Sequence, residues 1–169
     1  MGIQESRQLQ ILSQLFTNRL IDAVRERMGV SYSPYVYSTW PVDAQAGGAM
    51  TAIAQVGPKD VPLFMDVAEK IAADLIANPA SADELDRVLE PLRQQVTRAA
   101  SSSGFFMQEL EGATQDASRI GTIRSILTDY TRTTPEAMQA LAARYLAKGK
   151  SWRLAVLPED LTGGEMMAK

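Results

Sequence analysis

One apolar stripe near the beginning of this chain constrains its fold more than any other feature. Between residues 5 and 28, apolar side chains recur at steps of three or four positions: Leu9, Leu12, Phe16, Leu20, Val24 and Met28. Residues at this spacing share one face of a helix, so the pattern predicts a long amphipathic helix. Gly29 follows, and a residue without Cβ readily takes the left-handed conformation that ends many helices. The rest of the chain is then expected to supply the sheet and helices that cover the stripe.

The residues after this helix are rich in aromatic and β-branched side chains. Residues 32–40 predict a strand, in which Pro34 indicates either an edge position or a break near the start. Residues 49–56 predict a second strand, antiparallel to the first. Because a helix end, a short turn and a strand start lie close together, we expect Arg25 and Tyr32 at the mouth of one groove.

Four helical segments and a final strand are predicted beyond residue 57. In the second segment Ser81 and Glu84 form a capping box, and Pro91 should kink the helix. Alternating apolar residues at 152–157 predict the last strand. The segments cover residues 58–78, 81–96, 105–127 with a break near 118, and 134–149. This element order predicts an α+β fold in which helices pack on one face of an antiparallel sheet.

Composition excludes several classes of function. The chain has 169 residues, about one domain, and 46% hydrophobic residues, enough for a core. A net charge of −3 argues against nucleic acid as a partner. No apolar run approaches the roughly 18 residues of a membrane helix, so we expect no membrane insertion. The absence of Cys excludes disulfides, and the absence of His removes the most common general base together with the most common zinc ligand.

Short motifs occur along the chain in a recognisable order. Arg-Glu-x-x-Gly-x-x-Tyr spans residues 25–32 and follows a Leu-x-x-x-Arg-Leu segment at 15–20. Further motifs are Pro-Ala-Ser at 79–81, Gly-Phe-Phe at 104–106, Thr-Pro at 134–135 and Trp-Arg-Leu-Ala-Val-Leu-Pro at 152–158. Together they resemble the second, non-catalytic half of the pitrilysin/insulinase-type zinc metallopeptidases, including their bacterial processing proteases.

The resemblance implies a domain organisation. Each half of such a peptidase has the α+β architecture but begins with further strands before its first helix. We therefore expect this chain to be a piece of a longer protein. Residues 1–160 would form a single inactive peptidase-type half-domain, and residues 161–169 a C-terminal tail. Alternatively the true chain begins at Ile3 and the sheet is smaller.

The resemblance also implies a function, the hydrolysis of peptide bonds, that this chain cannot perform alone. The zinc site of the family is His-x-x-Glu-His with a later Glu, which a chain without His cannot build. The zinc ion and every catalytic residue would belong to a zinc-bearing N-terminal half, in the same chain or in a separate subunit. This half would close the substrate chamber, and bacterial relatives imply a periplasmic or envelope location.

By motif position the resemblance assigns Arg25 and Tyr32 to the binding of a peptide or unfolded-protein substrate beside the metal. A guanidinium can hydrogen-bond a peptide carbonyl, and a phenol can donate to an oxygen that gains charge as water attacks. Two structural explanations compete. An Arg in a last helical turn is favoured by the helix dipole, and Tyr is common in strands.

Other readings remain open. The chain could be a scaffold homologue that assembles without hydrolysis, or an unrelated α+β binding module. Tyr35 and Tyr37 should share one strand face and could line a peptide groove. Phe105 and Phe106 are expected in the core, and the acidic cluster at residues 83, 84 and 86 is expected to serve the helix start rather than a metal.

Overall fold

A computed structural model of the chain describes residues 2–28, 33–39, 48–111, 113–115 and 117–158. These residues form six α-helices and one antiparallel sheet of two strands, which confirms the α+β class predicted from the sequence. In chain order the elements are α1 Gly2–Met28, β1 Tyr35–Thr39, β2 Ala49–Ile53, α2 Val61–Ala77, α3 Ala82–Ala99, α4 Ser103–Leu110, α5 Ser118–Thr131 and α6 Pro135–Tyr145.

Helix α1 is the centre of the core. The predicted stripe is buried from Leu9 to Val24. Ile11 and Leu15 lie off that stripe and are also fully buried, so the helix is covered on more than one side. It packs against β1, α2, α3, α5 and α6. Full burial of a Leu or Ile side chain stabilises a fold by roughly 1.5–3 kcal/mol, so α1 carries a large share of the hydrophobic stabilisation.

The sheet has one covered and one exposed face. Its register runs from Tyr35 opposite Ile53 to Thr39 opposite Ala49. Val36 is buried and its partner Ala52 packs against the core, whereas Tyr35 and Ile53 are exposed. This alternation confirms the expectation that helices cover one face of the sheet.

Both strands are shorter than predicted, and the first begins at Tyr35, directly after Pro34. Residues 32 and 40 lie outside the described residues, so the structure tests the first prediction only between them. The second strand ends at Ile53 instead of residue 56. In the observed register Ala54 would lie opposite Pro34, a position whose backbone groups, like those of Val36, point away from β2. The missing N–H of Pro34 therefore costs the ladder between the two strands no hydrogen bond.

Thr17 joins α1 to the outer edge of β1. Its hydroxyl oxygen accepts a hydrogen bond from the Val36 amide at 2.9 Å. The same hydroxyl lies 3.3 Å from the Val36 carbonyl and 2.9 Å from the carbonyl of Ser13. One buried side chain therefore satisfies the backbone groups of Val36 at the edge of the sheet.

The predicted final strand is wrong. Residues 151–158 lie in neither a helix nor a strand. A strand needs a neighbour to pair with, and the only sheet in the described part of the chain consists of β1 and β2. The apolar residues of this segment are left in solvent, with Trp152 80%, Leu154 66% and Val156 89% exposed.

Most helix boundaries agree with the sequence signals. Ser81 Oγ accepts from the Glu84 amide at 3.1 Å, and Thr134 Oγ1 accepts from the Ala137 amide at 3.2 Å. Pro91 lies inside α3, which continues to Ala99. The last helix ends at Tyr145, four residues earlier than predicted.

Two further details concern the division of the segment after residue 105 and the start of α2. The segment after residue 105 divides into α4 and α5, as the expected break near residue 118 requires. A 3-10 turn, Pro58–Asp60, precedes α2. None of the helices in the described ranges is long and apolar enough to cross a membrane.

Replacing Thr17 by Val should destabilise the protein by about 1–3 kcal/mol, because the buried Val36 amide then loses its hydrogen-bond acceptor. Chemical denaturation monitored by circular dichroism measures the change. Thr97 is the matched control, since its hydroxyl also donates to the carbonyl four residues earlier but is exposed. We expect Thr97→Val to stay within about 0.5 kcal/mol of the parent. Equal effects of the two substitutions would contradict the role given to Thr17.

Candidate functional site

Arg25 lies in the last turn of α1 and points into solvent. Its side chain is 74% exposed. The nearest carboxylate is Asp22 Oδ1, one turn earlier, at 3.8 Å from Arg25 Nη1. An ion pair this exposed holds a side chain only weakly, so the guanidinium is available to another partner.

Tyr32, the second residue of the predicted pair, lies outside the described residues. So does Gly29, the predicted helix cap. The expected convergence of Arg25 and Tyr32 at one groove therefore stays a prediction. The described residues establish only that α1 ends at Met28 and that β1 begins at Tyr35.

An exposed aromatic surface follows the helix end. Tyr35 and Tyr37 share one face of β1, as predicted, and their rings stack at 5.8 Å between centroids with 30° between planes. They are 52% and 41% exposed, and Ile53, opposite Tyr35, is 43% exposed. We name these three residues the tyrosine face. It presents aromatic rings, with hydroxyl groups that can donate or accept hydrogen bonds, on a surface without a covering layer among the described residues.

A second apolar surface lies on α4, where core packing was expected. Phe105 and Phe106 were expected in the core, but Phe106 is 42% exposed and the two rings meet edge to face at 5.5 Å. Met107 and Leu110 are also exposed. They line an open groove of about 620 Å³ together with Gly104 and Glu111. Helix α4 makes its main contacts with α5 alone, which explains why its aromatic residues are not enclosed.

A smaller cleft of about 210 Å³ separates α1 from α2. Its apolar residues are Ala23, Val67 and Ile71. Arg27 and Lys70 contribute cations at its mouth, and both side chains are exposed, as expected for Arg27. The cleft is smaller than most ligand sites, which measure roughly 300–1,000 Å³.

An ionic cluster, unforeseen from the sequence, joins three helices around Arg19. The guanidinium binds both carboxylate oxygens of Glu84, with Nε–Oε1 at 2.7 Å and Nη2–Oε2 at 2.9 Å. Its Nη1 atom donates to Asp74 Oδ2 at 2.6 Å. Arg19 stands in the segment at 15–20 that carries the family resemblance, but a single sequence does not reveal which carboxylates a cation will meet.

The cluster lowers the pKa of Glu84. The main cause is the side-chain hydrogen bond from Arg19, which outweighs the opposing effect of burial. The positive charge of Arg19 and the Ser81 backbone amide lower the pKa further. The Glu84 amide in turn donates to Ser81 Oγ at 3.1 Å, which is the N-cap bond of the predicted capping box.

Tyr145 forms a second polar cluster between α6 and α1. Its hydroxyl donates to Glu5 Oε1 at 2.8 Å, and Arg144 Nη1 binds the same oxygen at 2.6 Å. Burial raises the pKa of the Tyr145 phenol, and the hydrogen bond to Glu5 raises it further. A backbone contact from Gly48 acts in the opposite direction. The cluster connects the N-terminal part of α1 to the start of β2.

The most deeply buried ion pair joins α1 to α5. Arg7 Nη1 lies 2.7 Å from Asp129 Oδ2, and both side chains are less than a tenth exposed. Ser125 Oγ donates to the same carboxylate oxygen at 2.9 Å. A buried pair of this kind is costly to break, because removing one partner leaves an uncompensated charge. Its place inside the helix packing gives it a structural role.

Nothing in the described ranges groups three or more His, Cys, Asp or Glu side chains as a metal site would. Of the acidic cluster at the start of α3, Glu84 binds Arg19 and Asp83 lies 3.2 Å from Arg87 one turn later. The donor set of the chain does not fit zinc, which prefers imidazole and thiolate, because the sequence has neither His nor Cys.

Comparison of the chain with protein-family models, with curated proteins and with solved structures finds no match.

Glu84→Gln should lower stability most at neutral pH. The folded-state pKa of Glu84 is below its unfolded value, so its contribution is present above the unfolded pKa of about 4.3 and is lost as the pH falls through the folded pKa. The difference between parent and variant should therefore shrink below about pH 4. Urea denaturation at a series of pH values measures it. Asp83→Asn is the control, because the ion pair of Asp83 is exposed; a constant difference for Glu84→Gln across pH would refute the assignment.

Proposed function

We propose that this chain is the substrate-binding, chamber-closing half of a zinc-dependent metalloendopeptidase that hydrolyses peptide bonds. The zinc ion and the catalytic residues belong to a partner half, in the same chain or in another subunit. This domain contributes one wall of the chamber and, from Arg25 and Tyr32, polar groups that hold the peptide.

The observation that carries the proposal is that an exposed cation at the end of α1 is followed along the chain by exposed aromatic rings on β1. Arg25 is exposed in the last helical turn, and the strand that follows presents the stacked rings of Tyr35 and Tyr37. Exposed aromatic rings and an exposed cation are both suited to an extended peptide, because the rings pack on side chains while the cation binds carbonyl oxygens.

The exposed apolar surfaces support the need for a partner half. The tyrosine face and the α4 groove both leave large apolar side chains in solvent, with Met107 77% exposed. Contiguous apolar surface is characteristic of sites that another molecule covers. A closing domain needs such surface, since its chamber forms only when two halves meet.

The chemistry assigned to this domain is binding and orientation. A guanidinium at position 25 stays charged at all physiological pH values and can donate to a carbonyl of the substrate. A phenol at position 32 can donate to an oxygen whose negative charge increases as water attacks. Proton transfer and activation of water belong to the partner half, because this chain offers no His for either task.

In the complete enzyme, Arg25→Ala should raise KM for a peptide substrate, and Tyr32→Phe should lower kcat by roughly 10–100-fold, somewhat less than the loss of a dedicated oxyanion donor. Steady-state hydrolysis of a fluorogenic peptide measures both constants. Arg87→Ala is the matched control, since Arg87 is an exposed helical Arg paired one turn away with Asp83, much as Arg25 is paired with Asp22.

Circular dichroism should show that the variants remain folded, because Arg25 makes only an exposed contact. Turnover equal to that of the parent in both variants would overturn the proposed roles. Unchanged turnover with weakened association of the two halves would instead indicate the scaffold alternative.

A further inference from the structure

The outer edge of β2 is an unpaired row of backbone groups. On β1 the amide and carbonyl of Val36 face Thr17 and thus point away from β2. In an antiparallel pair, two residues directly opposite each other either both point their N–H and C=O groups toward each other or both point them away. The partners of Val36 and Ser38, which are Ala52 and Met50, must therefore point theirs outward on the other side. Nothing in the described part of the chain bonds to these outward groups.

This edge lacks the features that usually protect a free strand. The five residues of β2 include no charged side chain and no proline. Proteins normally blunt free edges with charges, prolines or a covering element, because an open edge pairs with other chains. The opposite edge of the same sheet has such cover, since Thr17 of α1 occupies it. The contrast indicates that the outward groups of β2 have a partner outside the described part of the chain.

The same chain carries a segment suited to fill that edge. Residues 152–156 match β2 in length and alternate large apolar side chains with Arg153 and Ala155. Trp152, Leu154 and Val156 would lie on one face of an extended strand, and all three are exposed. Arg153 forms an ion pair with Glu69 of α2 in the same copy, and a pair this exposed contributes little, so the segment can leave it at small cost.

We propose that the outer edge of β2 pairs with residues 152–156 of a second copy of this chain. Each copy gives its segment to the β2 edge of the other, which closes a two-fold dimer with a three-stranded sheet in each copy. A reciprocal exchange of this kind closes on itself with two-fold symmetry, so it does not propagate into fibres. The inference is independent of the proposed peptidase role.

The surface available fits a weak dimer. The three exposed apolar side chains amount to on the order of 400 Å² per copy, given roughly 150–250 Å² for one aromatic residue. Covering them in both copies removes about 800 Å² from water before backbone contacts are counted, which is in the range of weak, transient interfaces.

Sedimentation velocity of the full chain over a wide concentration range tests the proposal. We expect a monomer–dimer equilibrium. Ala52→Pro removes only an outward amide and leaves the bonds to β1 intact, so it should raise the dimer dissociation constant by about tenfold through the loss of two backbone hydrogen bonds per dimer. Ala52→Val keeps the amide and is the matched control.

A second variant on the donated segment guards against a folding defect at position 52. Leu154→Lys alters an exposed side chain and should also weaken the dimer while the circular dichroism spectrum stays unchanged. In hydrogen exchange, the amides of Met50 and Ala52 should be protected in the parent at dimer concentrations and unprotected in Leu154→Lys.

Two results would overturn the inference. One is a parent protein that remains monomeric at every concentration tested. The other is a dimer that survives both Ala52→Pro and Leu154→Lys, which would place the interface elsewhere, for example on α4. Either result leaves the roles proposed for Arg25 and Tyr32 untouched, because those are measured as turnover in the complete enzyme.

Discussion

The structure depends on the burial of α1 on several sides at once. A 27-residue helix whose middle is apolar on more than one face needs cover from both a sheet and other helices. The contacts of α1 with β1, α2, α3, α5 and α6 meet that requirement. The other elements are therefore arranged around one helix, and the two-stranded sheet, too small to form a core alone, is stabilised by packing against it.

Polar contacts then determine where each neighbour sits on α1. Thr17 positions the edge of β1, and Arg19 holds α2 and α3 through Asp74 and Glu84. Arg7 holds α5 in the same way through Asp129. Hydrophobic burial is non-directional, so it cannot by itself select one arrangement of helices. Hydrogen bonds and ion pairs with fixed geometry supply that selection.

The surfaces that remain open give the molecule its functional interest. In the described part of the chain, the tyrosine face and the α4 groove leave apolar side chains exposed. The edge of β2 leaves backbone groups without a hydrogen-bond partner among the described residues. The peptidase proposal uses the surface next to the end of α1, and the proposed strand exchange uses the β2 edge. The two are compatible, because a sheet can pair along its edge while its face binds another molecule.

The sequence by itself determined the local elements. The spacing of Leu9, Leu12 and Leu20 predicted α1, and the caps at Ser81 and Thr134 predicted two helix starts, because these signals act within a few residues. It also determined that this chain cannot hold a His-based zinc site. The fold class followed from the order of the elements.

Only the tertiary structure decided what lies next to what. Residues 152–157 have a strand's alternation but no neighbour, and pairing depends on distant chain rather than on the segment itself. Phe106 is apolar yet exposed, because among the described elements α4 packs mainly against α5 alone. The carboxylates that Arg19 meets are 55 and 65 residues away, a distance over which no local pattern carries information. Long-range contacts follow from packing the whole chain, which is why the sequence pattern predicts α1 but not its partners.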